Sequence, residues 1–352
     1  MTKYAANALY AKCHALFGKR LTGTDYSLLL ACKSVGDVAA YLKGKTVYAD
    51  ALADIHTPTV RRQQLELHLR SHQFHEFAAL CRYEVSLGQG FYRYYVLRGE
   101  VAQLLNCLRL LDSEHQDDYL LSIPVYFQRY ASLDLFKLAK AADSAEVLEA
   151  TQGSEYYAIL RPFLEKNPTL PDMSAIELAL NSFLWKKVHG ILKSSGKGKG
   201  TQSDGVRYLE VGADMKAIAI AYRMKRYLRS NANQIRAKVN FSVGKLSQKQ
   251  TDNLLDAPTA DELLRRLTAT PYGKAFARQD FLYIEDSAAR VAYSHALHTF
   301  RYSMDAGVTT LAYLDLAENE LQNLTHIIEG IRFFAPPDEI RKQLIGNLDV
   351  RA

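Results

Sequence analysis

Ser34-Val35-Gly36-Asp37-Val38, then Thr46-Val47-Tyr48, then Leu52: the chain writes this stretch three times. The second copy reads Asp143-Ser144-Ala145-Glu146-Val147, Ser154-Glu155-Tyr156 and Leu160. The third reads Thr259-Ala260-Asp261-Glu262-Leu263, Thr270-Pro271-Tyr272 and Phe276. Each opens on a helix-capping residue with an acid three positions later, the spacing of a capping box. An aliphatic residue follows, then a second cap, a tyrosine two positions on and an apolar residue four beyond it. Residues at i and i+4 share one helix face. The pattern predicts a short helix, a break and a second short helix, with Tyr48, Tyr156 and Tyr272 buried as anchors. The tyrosine comes nine residues after Val147 and Leu263 but ten after Val38, an insertion of one residue in the first turn. The opening caps are 109 and 116 residues apart. That period is far longer than the roughly 20–50 residues of solenoid repeats. It predicts repeated subdomains, with approximate bounds 1–110, 111–205 and 206–352, the last including closing helices.

The 352 residues, 48% of them hydrophobic, are enough for two or three domains with real cores. A net charge of +6 is mild, and the basic residues alternate with acids along helices, so no nucleic-acid footprint is indicated. Cys13, Cys32, Cys81 and Cys107 lack C-x-x-C spacing and read as buried free thiols of a reducing compartment. The opening Met1-Thr2-Lys3-Tyr4 has no signal-peptide run, and no apolar window is long enough to span a bilayer.

Outside the repeats the periodicity is helical. Ala8, Leu9, Cys13, Leu16 and Phe17 form the stripe of a helix over 4–18. A helix is expected from Pro58 to Tyr83, broken at Gly88-Gln89-Gly90, and another from Phe91 to Leu111, followed by an acidic loop over 112–118. The next cycle predicts helices over 173–192 and 206–229, joined by the glycine-rich loop 194–201. The third predicts helices over 281–304 and 309–333. Pro336-Pro337-Asp338-Glu339-Ile340 restarts the hairpin pattern. Alternating stretches such as Val239–Val243 are too few for a sheet, so the fold class is all-α.

The second long helix of each cycle carries an acid inside an apolar run: Glu100, Asp214 and Glu320. Arg109 and Arg223 follow the first two by nine residues; in the third, Asn323 stands at plus three and Arg332 at plus twelve. A carboxylate in an apolar stripe is costly unless paired. Glu100, Arg109, Asp214, Arg223, Glu320 and Arg332 therefore pair with neighbouring helices or face a shared central space and touch a partner.

Catalytic patterns are missing. Gly196-Lys197-Gly198-Lys199-Gly200-Thr201 departs from the phosphate-loop order and follows a helix, so it reads as a solvated linker. His72-x-x-His75 and His295-x-x-His298 lack H-E-x-x-H spacing and a third ligand. The acidic loop lacks the glycine of a calcium loop. Neither a cofactor nor an enzymatic activity is expected. A scaffold or coupling part is favoured, over a free-standing helical adaptor that clamps another soluble partner and over an enzyme with a histidine metal site.

Two segments carry a family resemblance: Tyr4-Ala5-Ala6-Asn7-Ala8-Leu9-Tyr10-Ala11-Lys12 with Leu21-Thr22 and Asp25-Tyr26, and the closing run Ala317–Gly330. They resemble the C subunit of bacterial and archaeal V/A-type rotary ATPases, the counterpart of eukaryotic subunit d. Ala217 departs from the pattern, since the family tends to have Asn there. The resemblance implies three similar helical subdomains in a funnel-shaped, pseudo-three-fold arrangement. It implies a non-catalytic central-stalk subunit, bound to the central-shaft subunits and the membrane rotor ring on the cytoplasmic side. No nucleotide would bind to it.

Overall fold

The computed structural model describes residues 2–83, 90–112, 124–166, 172–194, 201–276 and 283–346. Among them every regular element is a helix. The chain begins with α1 (Thr2–Phe17) and α2 (Gly23–Leu30). The first hairpin is α3 (Val35–Lys45) and a single 3-10 turn over Asp50–Leu52; another such turn, Thr57–Thr59, leads to the long helices α4 (Arg62–Cys81) and α5 (Gly90–Asp112). The second cycle runs α6 (Val125–Gln128), α7 (Leu135–Lys140), the hairpin α8 (Ser144–Ala150) and α9 (Glu155–Leu164), then α10 (Met173–Ser194) and α11 (Thr201–Leu228). The third runs α12 (Ala232–Arg236), α13 (Gln248–Leu255), the hairpin α14 (Ala260–Leu267) and α15 (Gly273–Phe276), then α16 (Ile284–Tyr302) and α17 (Ala306–Arg332). α18 (Pro337–Gln343) closes the described chain, with Ile340 buried as the restarted pattern requires.

Local departures from the sequence reading have local causes. Pro58 lies in the preceding 3-10 turn and not in α4, which starts at Arg62. Leu67 is only half-buried, and Glu66 and Gln73 take buried places beside the α4 stripe; Glu66 accepts from Arg62 at 2.7 Å. Ala8 is exposed on α1, and Leu28 on α2. All four cysteines are free; Cys13 and Cys107 are buried, whereas Cys32 and Cys81 are partly exposed. Gly88-Gln89, residues 113–118 of the acidic loop and residues 195–200 of the glycine-rich loop lie outside the described residues.

The chain divides into two compact units, Met1–Ser86 with Gly198–Ala352, and Leu87–Lys197. In the first unit α17 is the spine. It packs against α1, α2, α3, α4, α11, α16 and α18, and about two and a half turns at its start are buried all round, from Ala306 to Leu314. A helix that is apolar on every side belongs inside a bundle. Asn323 on this spine donates to the Ile345 carbonyl at 2.8 Å and accepts from its N–H at 2.9 Å, fixing the segment after α18. In the second unit α5 packs against α7, α8 and α10, and α9 and α10 pack together.

The hairpins share one set of caps. Ser34, Asp143 and Thr259 each accept from the N–H of the acid three residues on, at 3.1, 2.9 and 3.2 Å. The expected reciprocal bond shifts: Asp37 and Glu146 accept from the residue before the cap, Lys33 and Ala142, and Glu262 instead pairs with Arg265 and Arg266. The second cap acts as a pin. Thr46, Ser154 and Thr270 donate to the carbonyls of Leu42, Thr151 and Leu267 at 2.7, 2.6 and 2.6 Å. The same hydroxyls accept from the N–H groups of Tyr48, Tyr156 and Tyr272 at 3.2, 3.3 and 3.3 Å. One oxygen thus ties the end of the first helix to the tyrosine backbone and aims its ring inward. Val38, Tyr48 and Leu52, Val147, Tyr156 and Leu160, and Leu263, Tyr272 and Phe276 are all buried.

Replacing Thr46, Ser154 or Thr270 with Ala is expected to cost about 0.5–2 kcal/mol each, the worth of a cap. Urea midpoints of the three variants check this; midpoints equal to that of the parent would show that the hydroxyls do not hold the hairpins.

Candidate functional site

Each of the three hairpin tyrosines ends on a buried acid. The Tyr48 hydroxyl donates to Glu320 Oε1 at 2.6 Å, Tyr156 to Glu100 Oε2 at 2.7 Å, and Tyr272 to Asp214 Oδ2 at 2.6 Å. The acids are 5, 1 and 0% exposed. Each also takes backbone donors from the loop before its cycle's short helix. Glu320 accepts from the Leu21 N–H at 2.8 Å, Glu100 from that of Ser132, and Asp214 from those of Lys245 and Leu246 at 2.8 and 3.1 Å. Three times, then, a carboxylate on a long helix clamps a hairpin through its tyrosine and an entry loop through its amides. A buried carboxylate is tolerated only when such donors surround it.

The pairing is offset by one cycle. The acid of α5 holds the second hairpin and that of α11 the third, at separations of 56 and 58 residues. The acid of α17 holds the first hairpin, 272 residues away. The sequence shows the tyrosines and the acids as separate series and does not join them. The matched separations of 56 and 58 were the available signal, because an orphan hydroxyl and an orphan carboxylate in one core must find each other.

The first clamp has a cation within ion-pairing distance of its acid; among the described residues no ion pair reaches Glu100 or Asp214. Arg20 sits 3.2 Å from Glu320 and also pairs with Glu76, with both pairs largely shielded from water. Tyr313 donates to Glu76 at 3.0 Å, and His72 lies 3.3 Å from it with its ring against Tyr48. Burial opposes the charge on Arg20, but Glu320, Tyr313, Tyr48 and Glu76 outweigh it and raise the pKa further. Burial likewise pushes Glu76 up, and His72 and Arg20 overcome it, leaving the carboxyl below its usual range. All three clamp tyrosines are held well above the usual phenol pKa, by burial first and then by the adjacent carboxylate. They act as donors and do not ionise.

In the third clamp the loop backbone comes close to the acid. A Cβ on Gly244 would stand 1.7 Å from Asp214 Oδ1, so only glycine lets this loop approach the carboxylate.

The arginines named from the sequence lie elsewhere. Arg109 pairs with Glu177 at 2.9 Å and Arg223 with Glu285 at 3.3 Å, both on the surface, and Arg332 lies over the Phe333 ring. Exposed pairs of this kind contribute little. His75 contacts the Ser71 carbonyl, His295 stacks on Tyr208 and His298 lies against Tyr302. Among the described residues no three His, Cys, Asp or Glu side chains gather as a metal site, and no helix is long and apolar enough to cross a membrane.

A family model described as ATP synthase (C/AC39) subunit matches residues 9–343. That span is nearly the whole chain, and the chain belongs to this family of V/A-type ATPase subunits. A search of curated proteins found no match.

Removing one tyrosine hydroxyl (Tyr→Phe at 48, 156 or 272) leaves a buried carboxylate one donor short and is expected to cost about 1–3 kcal/mol. Truncation to Ala is expected to cost about 3–5 kcal/mol. Denaturant unfolding of both series checks this; Phe variants with parental midpoints would mean the hydroxyl–acid contact contributes nothing. Arg20→Met strands Glu320 and Glu76, with an expected loss of about 3–5 kcal/mol, read in the same way. Gly244→Ala is expected to be more damaging than alanine at the exposed Gly190, where a Cβ meets nothing within 4 Å.

Proposed function

We propose that this chain is the non-catalytic central-stalk subunit of a V/A-type rotary ATPase, a socket that couples the central shaft to the membrane rotor ring. The observation that carries this reading is the thrice-repeated clamp, in a chain of the ATP synthase (C/AC39) subunit family. A part that transmits torque must not shear between its own helices. Clamps that fasten hairpin, entry loop and long helix at one buried point supply that resistance. The funnel-shaped, pseudo-three-fold arrangement, the shaft and ring as partners and a position on the cytoplasmic face of the membrane belong to the same proposal.

In this reading Glu100, Asp214 and Glu320 work inside the fold, pairing helices to hairpins. Arg109, Arg223 and Arg332, whose heads lie at the surface, are assigned in this proposal to meet the shaft or ring. The chain itself turns over no ATP; that chemistry belongs to other subunits of the complex.

The test is reconstitution of the ATPase in vesicles with and without this chain, following ATP hydrolysis and ion uptake together. Without it, hydrolysis is expected to continue while ion uptake fails. Full ion uptake in its absence would overturn the coupling role, and steady ATP turnover by the purified chain would overturn the non-catalytic one.

A further inference from the structure

The three clamps are alike in their tyrosine and differ in how the two carboxylate oxygens are used. Both oxygens of Glu320 and both oxygens of Glu100 accept hydrogen bonds. A proton added to either acid must share an oxygen that already accepts a bond. Asp214 is different. All three of its donors, the Tyr272 hydroxyl and the N–H groups of Lys245 and Leu246, converge on Oδ2. Its Oδ1 is buried with no hydrogen-bond partner and faces the Gly244 backbone. No ion pair to Asp214 occurs among the described residues, in contrast to Glu320 with its Arg20.

The charged and titratable groups around it do not supply the missing partner. From the entry loop comes Lys245, whose side chain is exposed. From the hairpin comes Tyr272, and from α14 Glu262, which is paired with Arg265 and Arg266. α11 itself adds Glu210, one turn earlier. α16 presents His295, stacked on Tyr208 and shifted down by burial and then by Lys245. α17 presents Asp315, which accepts from Tyr208 at 2.5 Å.

We propose that the third clamp is a proton-binding site: Asp214 takes a proton on Oδ1 and stays closed, because all three donors remain on Oδ2. In the other two clamps no oxygen is bare, and a proton must crowd a donor already in place. The direction of the Asp214 pKa agrees. Burial raises it above the usual carboxylate value, and the bonds from Tyr272, Lys245 and Leu246 offset only part of that rise. For a group raised on folding, the stabilisation is fully present below the unfolded-state pKa and is lost as pH rises through the folded-state pKa. Acidification from neutral therefore strengthens this clamp.

The experiment is urea unfolding of the full chain and of its Asp214→Asn, Glu100→Gln and Glu320→Gln forms from neutral to mildly acid pH. Carboxyl resonances of the parent, labelled with carbon-13 aspartate, are followed over the same range. Asn can place its amide nitrogen at the bare Oδ1 position and keep its oxygen on the three donors, so this form is expected to unfold near the parental midpoint. Gln at 100 or 320 turns an amide nitrogen toward a donor and is expected to lower the midpoint clearly. Between the two pKa values of Asp214, the unfolding constant of the parent should fall relative to the Asn form by up to about tenfold per pH unit of acidification. One aspartate resonance should titrate above the usual carboxylate range and be missing from the Asn form. An Asn form as destabilised as the Gln forms, or parallel pH profiles, would overturn the proposal. Should the Asn form fail to fold, the titration of the parent decides: no aspartate resonance displaced upward is equally fatal.

Discussion

A carboxylate inside a helix bundle has to be solvated by the protein, and that requirement organises this chain. Glu100, Asp214 and Glu320 sit among apolar neighbours on long helices, where water cannot reach them. The donors that replace water come from two separate pieces of chain, a tyrosine hydroxyl and an entry-loop amide. Satisfying one acid thus fixes three elements relative to one another. The hairpin caps are arranged to deliver the hydroxyl: the Thr or Ser pin holds the tyrosine backbone, and the aliphatic and aromatic knobs on either side fill the core around it. Leaving a buried donor or acceptor unmade costs about 1–3 kcal/mol, more than a typical bond contributes when made. The clamps therefore act more strongly against wrong packings than in favour of the right one.

This bears on mechanical behaviour. Helix faces that meet only through apolar contacts can slide, because dispersion is weakly directional. A short hydrogen bond to a buried carboxylate has a narrow geometry. Placing one at each hairpin turns a sliding contact into a fixed one. The coupling role proposed above would call for such points where elements cross.

Much of this was legible in the sequence, but in fragments. The helices, the three hairpins, their caps and the buried tyrosines follow from periodicity and capping chemistry, which are local properties of Val38, Ser154 or Thr270 and their neighbours. The acids were visible as anomalies, charges in apolar runs. Their partners were not visible, because the link from Tyr48 to Glu320 spans 272 residues and has no local signature. Backbone donors such as Leu21 and Leu246 leave no trace in residue identity at all. Arg20 reads as an ordinary surface residue after α1 until its burial against Glu320 and Glu76 is seen. The nine-residue offset to Arg109 and Arg223 drew attention to side chains that the structure places at the surface.

The guanidinium paired with the acid of the first clamp stands where the chain closes its longest loop. The second and third clamps close loops of 56 and 58 residues, the first a loop of 272. Loop-closure entropy grows with the logarithm of length, so the longest closure costs about 1.4 kcal/mol more than the others. A hydrogen bond to a charged group contributes about 1.5–3 kcal/mol. The bond from Arg20 to Glu320 is of the size needed to offset the difference, and Glu76 with its Tyr313 and His72 contacts keeps that guanidinium neutralised once it is buried. The second clamp closes a short loop with both carboxylate oxygens satisfied. The third also closes a short loop, but with the shorter aspartate, which brings only one oxygen to the donors. In this chain the cation stands where the closure is longest, and the bare oxygen where the side chain is shortest.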